Sequence, residues 1–416
     1  MLWQAPHATG PVRGRVVVPG SKSETNRALV LAALADGPGT ISGALESRDS
    51  ALMIAALRAL GVTITGTDVL HVIPPERFVT SGRIDCGLAG TVMRFVPPVA
   101  ALADAPTTFV GDPHASARPM APLIKGLRQL GARASASALP FTLSPPRVMG
   151  DACEIDASSS SQFISGPLLA GARYPSGLWL RHSGTRLPSR PHIDMTVAML
   201  RARGVRIATP DPVTWVVRAG RIKAIADSIA PDLTNAAVFL AAAMVTGGEV
   251  TIAHWPLETT QPGASFLDIA TRFGATVRRE GDQLSLTGGR LGGIDVDLSG
   301  ASELTPIVAA VALFAEGITT ISGIGHIRGH ETDRLAALTR EFSQAGAEIQ
   351  QSEDGLRIVG GGKLRPRTFE TYDDHRMAHA AALVGLRVAG TTLADVGCTA
   401  KTMPRFAEDW MRLCAH

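Results

Sequence analysis

One pattern recurs six times along the 416 residues, roughly every 70 of them, a period longer than the 20–50 residues of solenoid repeats. Each copy sets an apolar helix-like run before a turn and a short β-type segment: Gly39-Thr40-Ile41, Thr107-Thr108-Phe109, Gly177-Leu178-Trp179, Glu249-Val250-Thr251, Thr319-Thr320-Ile321 and Thr391-Thr392-Leu393. Between them, five further helix ends carry a glycine in Leu60-Gly61-Val62, Leu130-Gly131-Ala132, Arg203-Gly204-Val205, Phe273-Gly274-Ala275 and Ala345-Gly346-Ala347. Glycine there is the usual left-handed stop of a helix that returns into a strand. Each unit therefore holds about two helices and several strands, an α/β chain in six copies.

The starts of the six apolar runs are chemically distinct. They read Ser21-Lys22-Ser23-Glu24-Thr25-Asn26-Arg27, Leu88-Ala89-Gly90-Thr91-Val92-Met93-Arg94, Ser158-Ser159-Ser160-Ser161-Gln162, Asp232-Leu233-Thr234-Asn235, Ala301-Ser302-Glu303-Leu304-Thr305 and Asp373-Asp374-His375-Arg376. The unsatisfied N–H groups and positive dipole end of a helix start attract phosphate or carboxylate, and small residues let the anion approach. Ser, Thr, Asp and Asn are also ordinary N-caps, which is the plain alternative for any one of these starts. Lys22, Arg27, Arg94 and Arg376 go beyond what a cap requires.

A chain of this length exceeds what one core supports, so two domains are expected. Segments Arg15–Gly20 and Ile222–Asp232 flank the first three units, which places residues 1–20 and 228–416 in a discontinuous domain holding both termini and 21–227 in an inserted one. A cleft between the two, lined by helix starts, is the expected site. The net charge of +3, without basic runs or interleaved aromatics, argues against a nucleic-acid or membrane partner. The longest apolar runs, Leu233–Val245 and Leu304–Ala315, are too short to span a bilayer and read as buried helices. No targeting signal opens the chain, and its four cysteines fit neither a metal site nor a disulfide scaffold, so a cytoplasmic protein without bound metal is expected. His375 and His379 have helical metal-ligand spacing but lack a third ligand.

Seven motifs, in order, resemble those of the 5-enolpyruvylshikimate-3-phosphate synthases: Gly20–Arg27, Gly87–Arg94, Ala117-Arg118-Pro119, Ser160-Ser161-Gln162-Phe163, His330–Leu335, Asp374–Ala378 and Cys398–Thr402. The resemblance implies an inside-out α/β barrel, two domains each of three βαβαββ repeats. It also implies cofactor-free, metal-free transfer of the enolpyruvyl group of phosphoenolpyruvate to the 5-hydroxyl of shikimate 3-phosphate, a step of chorismate and aromatic amino-acid biosynthesis. Two phosphates and two carboxylates must then be held together, which accounts for the cationic load.

By that resemblance Lys22, Ser23, Arg27, Ser160, Ser161, Gln162, Ser189, Glu303 and His330 bind shikimate 3-phosphate. Lys22, Gly90, Arg118, Gln162, Arg334, Arg376 and Lys401 bind phosphoenolpyruvate. Lys22, Glu303 and Glu331 are the catalytic candidates, with Glu303 placed to take the hydroxyl proton and Glu331 to protonate C3; the residues alone leave the division between the two carboxylates open. Leu88, Phe95, His192 and His330 depart from the commoner pattern. A cationic His330 beside the substrate would make affinity fall as pH rises, its pKa lifted by Glu331. The same fold serves UDP-N-acetylglucosamine 1-carboxyvinyltransferases, but Gly111–Arg118 lacks the cysteine their mobile loop typically carries. RNA 3′-phosphate cyclases share related units, yet no RNA-binding stripe is present, and a non-catalytic anion-binding protein is the remaining alternative. A monomer with two small-molecule substrates is expected.

Overall fold

A computed structural model describes residues 2–415. Its helices are α1 (Lys22–Ala33), α2 (Arg48–Ala59), α3 (Gly90–Ala100), α4 (Ala121–Gln129), α5 (Gln162–Gly171), α6 (Arg190–Ala202), α7 (Leu233–Thr246), α8 (Phe266–Phe273), α9 (Thr305–Ala312), α10 (Arg334–Gln344), α11 (His375–Arg387) and α12 (Phe406–Cys414). The odd-numbered helices are the six apolar runs. They are buried along most of their length, α3 and α9 at every residue, and largely apolar beyond their starts, as a helix buried on all sides must be. The even-numbered ones are two-faced: α4 buries Leu123, Ile124, Gly126 and Leu127. Gly61, Gly131, Gly204, Gly274 and Gly346, which follow α2, α4, α6, α8 and α10, all have φ between 79° and 111°, the left-handed stop read from the sequence.

Contacts divide the chain into Met1–Pro19 with Ala230–His416, and Gly20–Ile229. Within Gly20–Ile229, α1, α3 and α5 form the centre and three four-stranded sheets lie outside them. In two of these three sheets the strand before a central helix pairs in parallel with the strand after it, and all three add an antiparallel hairpin. Arg83–Asp85 and Thr107–Val110, for instance, bracket α3. The other unit repeats this around α7, α9 and α11 with two four-stranded sheets and one of three. Strands such as Val69–Ile73 alternate exposed and buried residues, one face on the helices and one on water.

Two of the six parallel pairs are exchanged. Arg13–Val16, which precedes α1, pairs with Glu249–Ile252 after α7; Ala226–Ser228, which precedes α7, pairs with Gly39–Ser42 after α1. That exchange makes one unit discontinuous. Ser228 and Ile229 stay with the inserted unit because Ser228 pairs with Ser42 and the Ile229 N–H donates to the Ser42 carbonyl at 2.9 Å.

Helix α3 runs through Pro97 and Pro98, where local propensity would end it. Pro98 has no N–H for the Arg94 carbonyl, and α5 meets that carbonyl with Gly166, where a Cβ would lie 2.2 Å from the oxygen. This close approach of α5 to α3 sets Arg94 against Gln162.

Candidate functional site

The plain reading of the helix starts as caps holds for some and fails for others. Ser21, Asp232, Asp333 and Asp374 cap α1, α7, α10 and α11 with their side chains. Helices α3, α5 and α6 start at Ala89, Ser161 and Ser189 with no side-chain bond from the cap residue. Ser189 is buried and left-handed, φ 50°. At α5 a neighbour helps, Ser160 Oγ accepting from the Gln162 N–H at 3.3 Å. First-turn N–H groups left uncapped are what an anion needs.

In the Gly20–Ile229 unit, cations gather at the starts of α1 and α3. The Lys22 ammonium is 3.8 Å from the buried Asp49 carboxylate, a countercharge for it, and is 19% exposed. Arg118 donates to the Leu88 carbonyl at 3.0 Å, while its Nε has no acceptor. Arg94 donates to Gln162 Oε1 at 3.2 Å and to the Pro119 carbonyl at 3.0 Å, and so orients the glutamine. A Cβ on Gly90 would lie 2.7 Å from Arg94 Nη1 and 3.1 and 3.2 Å from the two terminal nitrogens of Arg118. Glycine at this position lets both guanidinium groups close over the start of α3.

Arg27 is deeper. It donates to Thr196 Oγ1 at 2.8 Å, to the Ser23 carbonyl at 2.9 Å, and through Nη2 to the His192 carbonyl at 2.9 Å and Ser165 Oγ at 3.4 Å. Phe95 lies 5.1 Å beneath it. Burial lowers its pKa to about 10, so it stays charged at neutral pH. These bonds engage four of its five N–H donors, leaving one hydrogen on Nη1 for a ligand. The His192 main chain therefore supports Arg27, and Asn26 is structural, its amide donating to Thr91 Oγ1 at 2.8 Å.

The other unit builds an ion network. Arg334, 1% exposed, donates from Nε and Nη2 to both oxygens of the fully buried Asp374 at 2.7 and 3.1 Å, and from Nη2 to Glu331 Oε2 at 2.9 Å. Lys401 meets the other Glu331 oxygen at 2.5 Å. Asp374 also caps α11 through the Arg376 N–H at 2.9 Å, while Arg376 keeps Nη1 without an acceptor. Burial, then the Arg334 charge, lowers the Arg376 pKa. Glu303, in the short turn Ser302–Leu304 before α9, is close enough to raise the proton affinity of His330, Arg334 and Arg376. The structure thus gathers Glu303, His330, Glu331, Arg334, Arg376 and Lys401. Asp49 acts through Lys22, Arg94 through Gln162 and Asp374 through Arg334 and Arg376; the helix starts signalled Arg94 and Asp374, and no sequence signal singled out Asp49.

His330 corrects an expectation. Its pKa is pushed down, to about 3, by burial first and Arg334 second, against the opposite pull of Glu331 and Glu303. The ring is neutral and accepts from Arg334 Nη1 on Nδ1 at 3.1 Å, so it brings no cation to a substrate at neutral pH. Affinity for shikimate 3-phosphate in His330→Gln is expected to follow the wild-type pH profile between about pH 5.5 and 9, because the ionisation of the substrate phosphate is common to both proteins and His330 adds none. A wild-type curve that drops away from the variant's with rising pH, by calorimetric titration, would restore the titrating imidazole. Because the folded pKa lies below the unfolded value of about 6.5, His330 adds stability fully present above that pH and lost as pH falls toward 3.

Among the described residues no group of three or more His, Cys, Asp or Glu is placed to hold a metal, and no helix is long and apolar enough to cross a membrane. His375 and His379 are buried with ring centroids 5.8 Å apart, and His379 packs on Phe406 at 4.7 Å.

The family profile described as EPSP synthase (3-phosphoshikimate 1-carboxyvinyltransferase) matches residues 6–410. A curated 3-phosphoshikimate 1-carboxyvinyltransferase of Mycobacterium ulcerans (strain Agy99) is 50% identical over 420 residues, covering 99% of this chain and 97% of the relative. The solved EPSP synthase of Acinetobacter baumannii superposes with a TM-score of 0.82 at 24% identity, covering 99% of this chain and 98% of that one. The enolpyruvyl transferase NikO of Streptomyces tendae does so with 0.77 at 18% identity, covering 98% and 96%. These two likenesses carry the fold, the two-domain inside-out α/β architecture.

Proposed function

The chain belongs to the EPSP synthase family of 3-phosphoshikimate 1-carboxyvinyltransferases, and from that premise we propose how its residues move an enolpyruvyl group from phosphoenolpyruvate to the 5-hydroxyl of shikimate 3-phosphate. Lys22, Ser23, Arg27, Ser160, Ser161, Gln162 and Ser189 hold shikimate 3-phosphate. Lys22, Gly90, Arg118, Gln162, Arg334, Arg376 and Lys401 hold phosphoenolpyruvate. His330 contributes as a neutral hydrogen-bonding group.

The observation that carries the reading is Glu331, a carboxylate held between Lys401 and Arg334, two cations with reason to prefer an incoming phosphate and carboxylate. When phosphoenolpyruvate claims those cations, Glu331 loses the charges that favour its ionised form and faces an anion instead. Both changes favour its carrying the proton that passes to C3. As C3 is protonated, the 5-hydroxyl oxygen adds to C2 and gives its proton to Glu303. Phosphate then leaves C2 as C3 gives a proton back to the Glu331 carboxylate, which restores the C2–C3 double bond and makes the product an enol ether. Lys22 stabilises the attacking oxygen and the leaving phosphate as a compact point charge. No step calls for a cofactor.

Phosphate release from phosphoenolpyruvate is expected with shikimate 3-phosphate as acceptor and not with UDP-N-acetylglucosamine; the reverse preference would transfer the chain to the other class. Gly90→Ala pushes a methyl group toward the Arg94 and Arg118 guanidinium groups. It is expected to raise KM for phosphoenolpyruvate about tenfold, ~1.4 kcal/mol, with KM for shikimate 3-phosphate nearly unchanged. Equal rises in both KM values would show that α3 is disturbed as a whole.

A further inference from the structure

The turn that delivers Asp374 and Arg376 to the start of α11 is held in a conformation its residues do not favour. Tyr372 and Asp373 stand side by side at φ 56° and 52°. Non-glycine residues persist there only where their surroundings over-determine the backbone. Those surroundings are on α10. Glu341, about two turns beyond Arg334 on the same face and buried, accepts from the Tyr372 hydroxyl on Oε1 at 2.7 Å and from the Glu370 N–H on Oε2 at 3.2 Å. Arg367, 2.9 Å away, supplies the countercharge and donates to the Glu341 carbonyl at 3.2 Å. Burial, then the bond to Glu341, pushes the Tyr372 pKa up to about 12, so the phenol remains a donor. One helix thus grips the segment at two places, Glu341 at residues 370 and 372 and Arg334 at Asp374.

We propose that Glu341 and Tyr372 are positioning residues for phosphoenolpyruvate: through them α10 fixes the turn, and the turn sets where Asp374 and Arg376 stand against Arg334. The inference rests on the assignment of Arg334 and Arg376 to that substrate. Released from Glu341, the turn relaxes toward right-handed backbone conformations, and Asp374 leaves the geometry in which it meets both Arg334 and the Arg376 N–H.

The test is steady-state phosphate release by the full chain, with each substrate varied in turn. Tyr372→Phe, which removes one oxygen, is expected to raise KM for phosphoenolpyruvate about tenfold, the scale of one lost hydrogen bond to a charged group. KM for shikimate 3-phosphate, bound mainly by the other unit, is expected to stay within about twofold. Glu341→Gln keeps the size and an acceptor for the phenol and is expected to move the same KM in the same direction by less. Ile358→Ala, a core truncation in the same unit, lowers Tm without this split. The proposal is overturned if Tyr372→Phe and Glu341→Gln lose Tm while both KM values stay put, or if Ile358→Ala reproduces the split. A wild-type chain that releases no phosphate would remove the substrate assignment and the inference with it; an active wild type with unmoved variants removes the inference alone.

Discussion

Glu331→Ala is expected to lower kcat about 10³-fold, within the 10²–10⁴ range typical of a lost general acid or base, while the protein stays folded. The two consequences separate because of how the carboxylate is placed. Arg334 keeps both oxygens of Asp374 after the change, so its buried charge remains compensated. Lys401 is 13% exposed and can return to water. Stability should therefore change by only about 1 kcal/mol, the common size for a single substitution. Glu331→Gln preserves hydrogen bonding but cannot give up a proton from a carboxyl, and is expected to be nearly as slow. A Gln variant within a few-fold of wild type would reduce Glu331 to an anchor for the cations. Lys22→Ala should cost a similar factor, and Lys22→Arg should recover little, since a planar guanidinium does not replace a compact ammonium beside Asp49. Single-turnover measurements decide whether the loss lies in the chemical step.

The sequence announced what depends on local chemistry. Apolar runs that are buried on every side, glycines at left-handed stops and cation-bearing helix starts are each legible in a window of a few residues. It did not disclose which helix starts are capped. Ser21 and Ser161 look alike as serines before helices, yet Ser21 Oγ accepts from the Glu24 N–H and Ser161 makes no such bond. Nor could it give the protonation state of His330, which depends first on the burial of its ring and then on Arg334, itself locked to a carboxylate forty residues further along. Asp374 read as a cap and is one, but its second task appears only when α10 and α11 are brought together. The exchange of Arg13–Val16 with Ala226–Ser228 between equivalent positions is likewise a long-range pairing, visible beforehand only as two segments, Arg15–Gly20 and Ile222–Asp232, on either side of the first three units.

Asp374→Ala is expected to be the most destabilising single change in the site, by about 3–5 kcal/mol, because it breaks a buried ion pair and leaves one charge behind. Arg334 would keep only its bond to Glu331 and its contact with His330 among the acceptors now on it, with Nε stranded away from water. Helix α11 would lose its cap at the same time, a further part of that figure. Asp374→Asn retains a capping oxygen and one acceptor for Arg334, so it should fall between wild type and alanine. The two-unit chain is not a single two-state system, so the measurement is urea denaturation followed separately for the transition of the unit that holds α11. At a slope of about 3 kcal/mol per molar, the alanine variant moves that midpoint down by about 1–1.7 M. The diagnostic case is the double change Asp374→Leu with Arg334→Met. Removing both charges eliminates the stranded guanidinium and should return much of the lost stability, whereas activity should not return, because the arginine assigned to phosphoenolpyruvate is gone. Stability regained without turnover assigns the pair its two tasks. A double variant as unstable as Asp374→Ala would place the loss in the α11 cap, and one that turned over normally would take Arg334 out of the site.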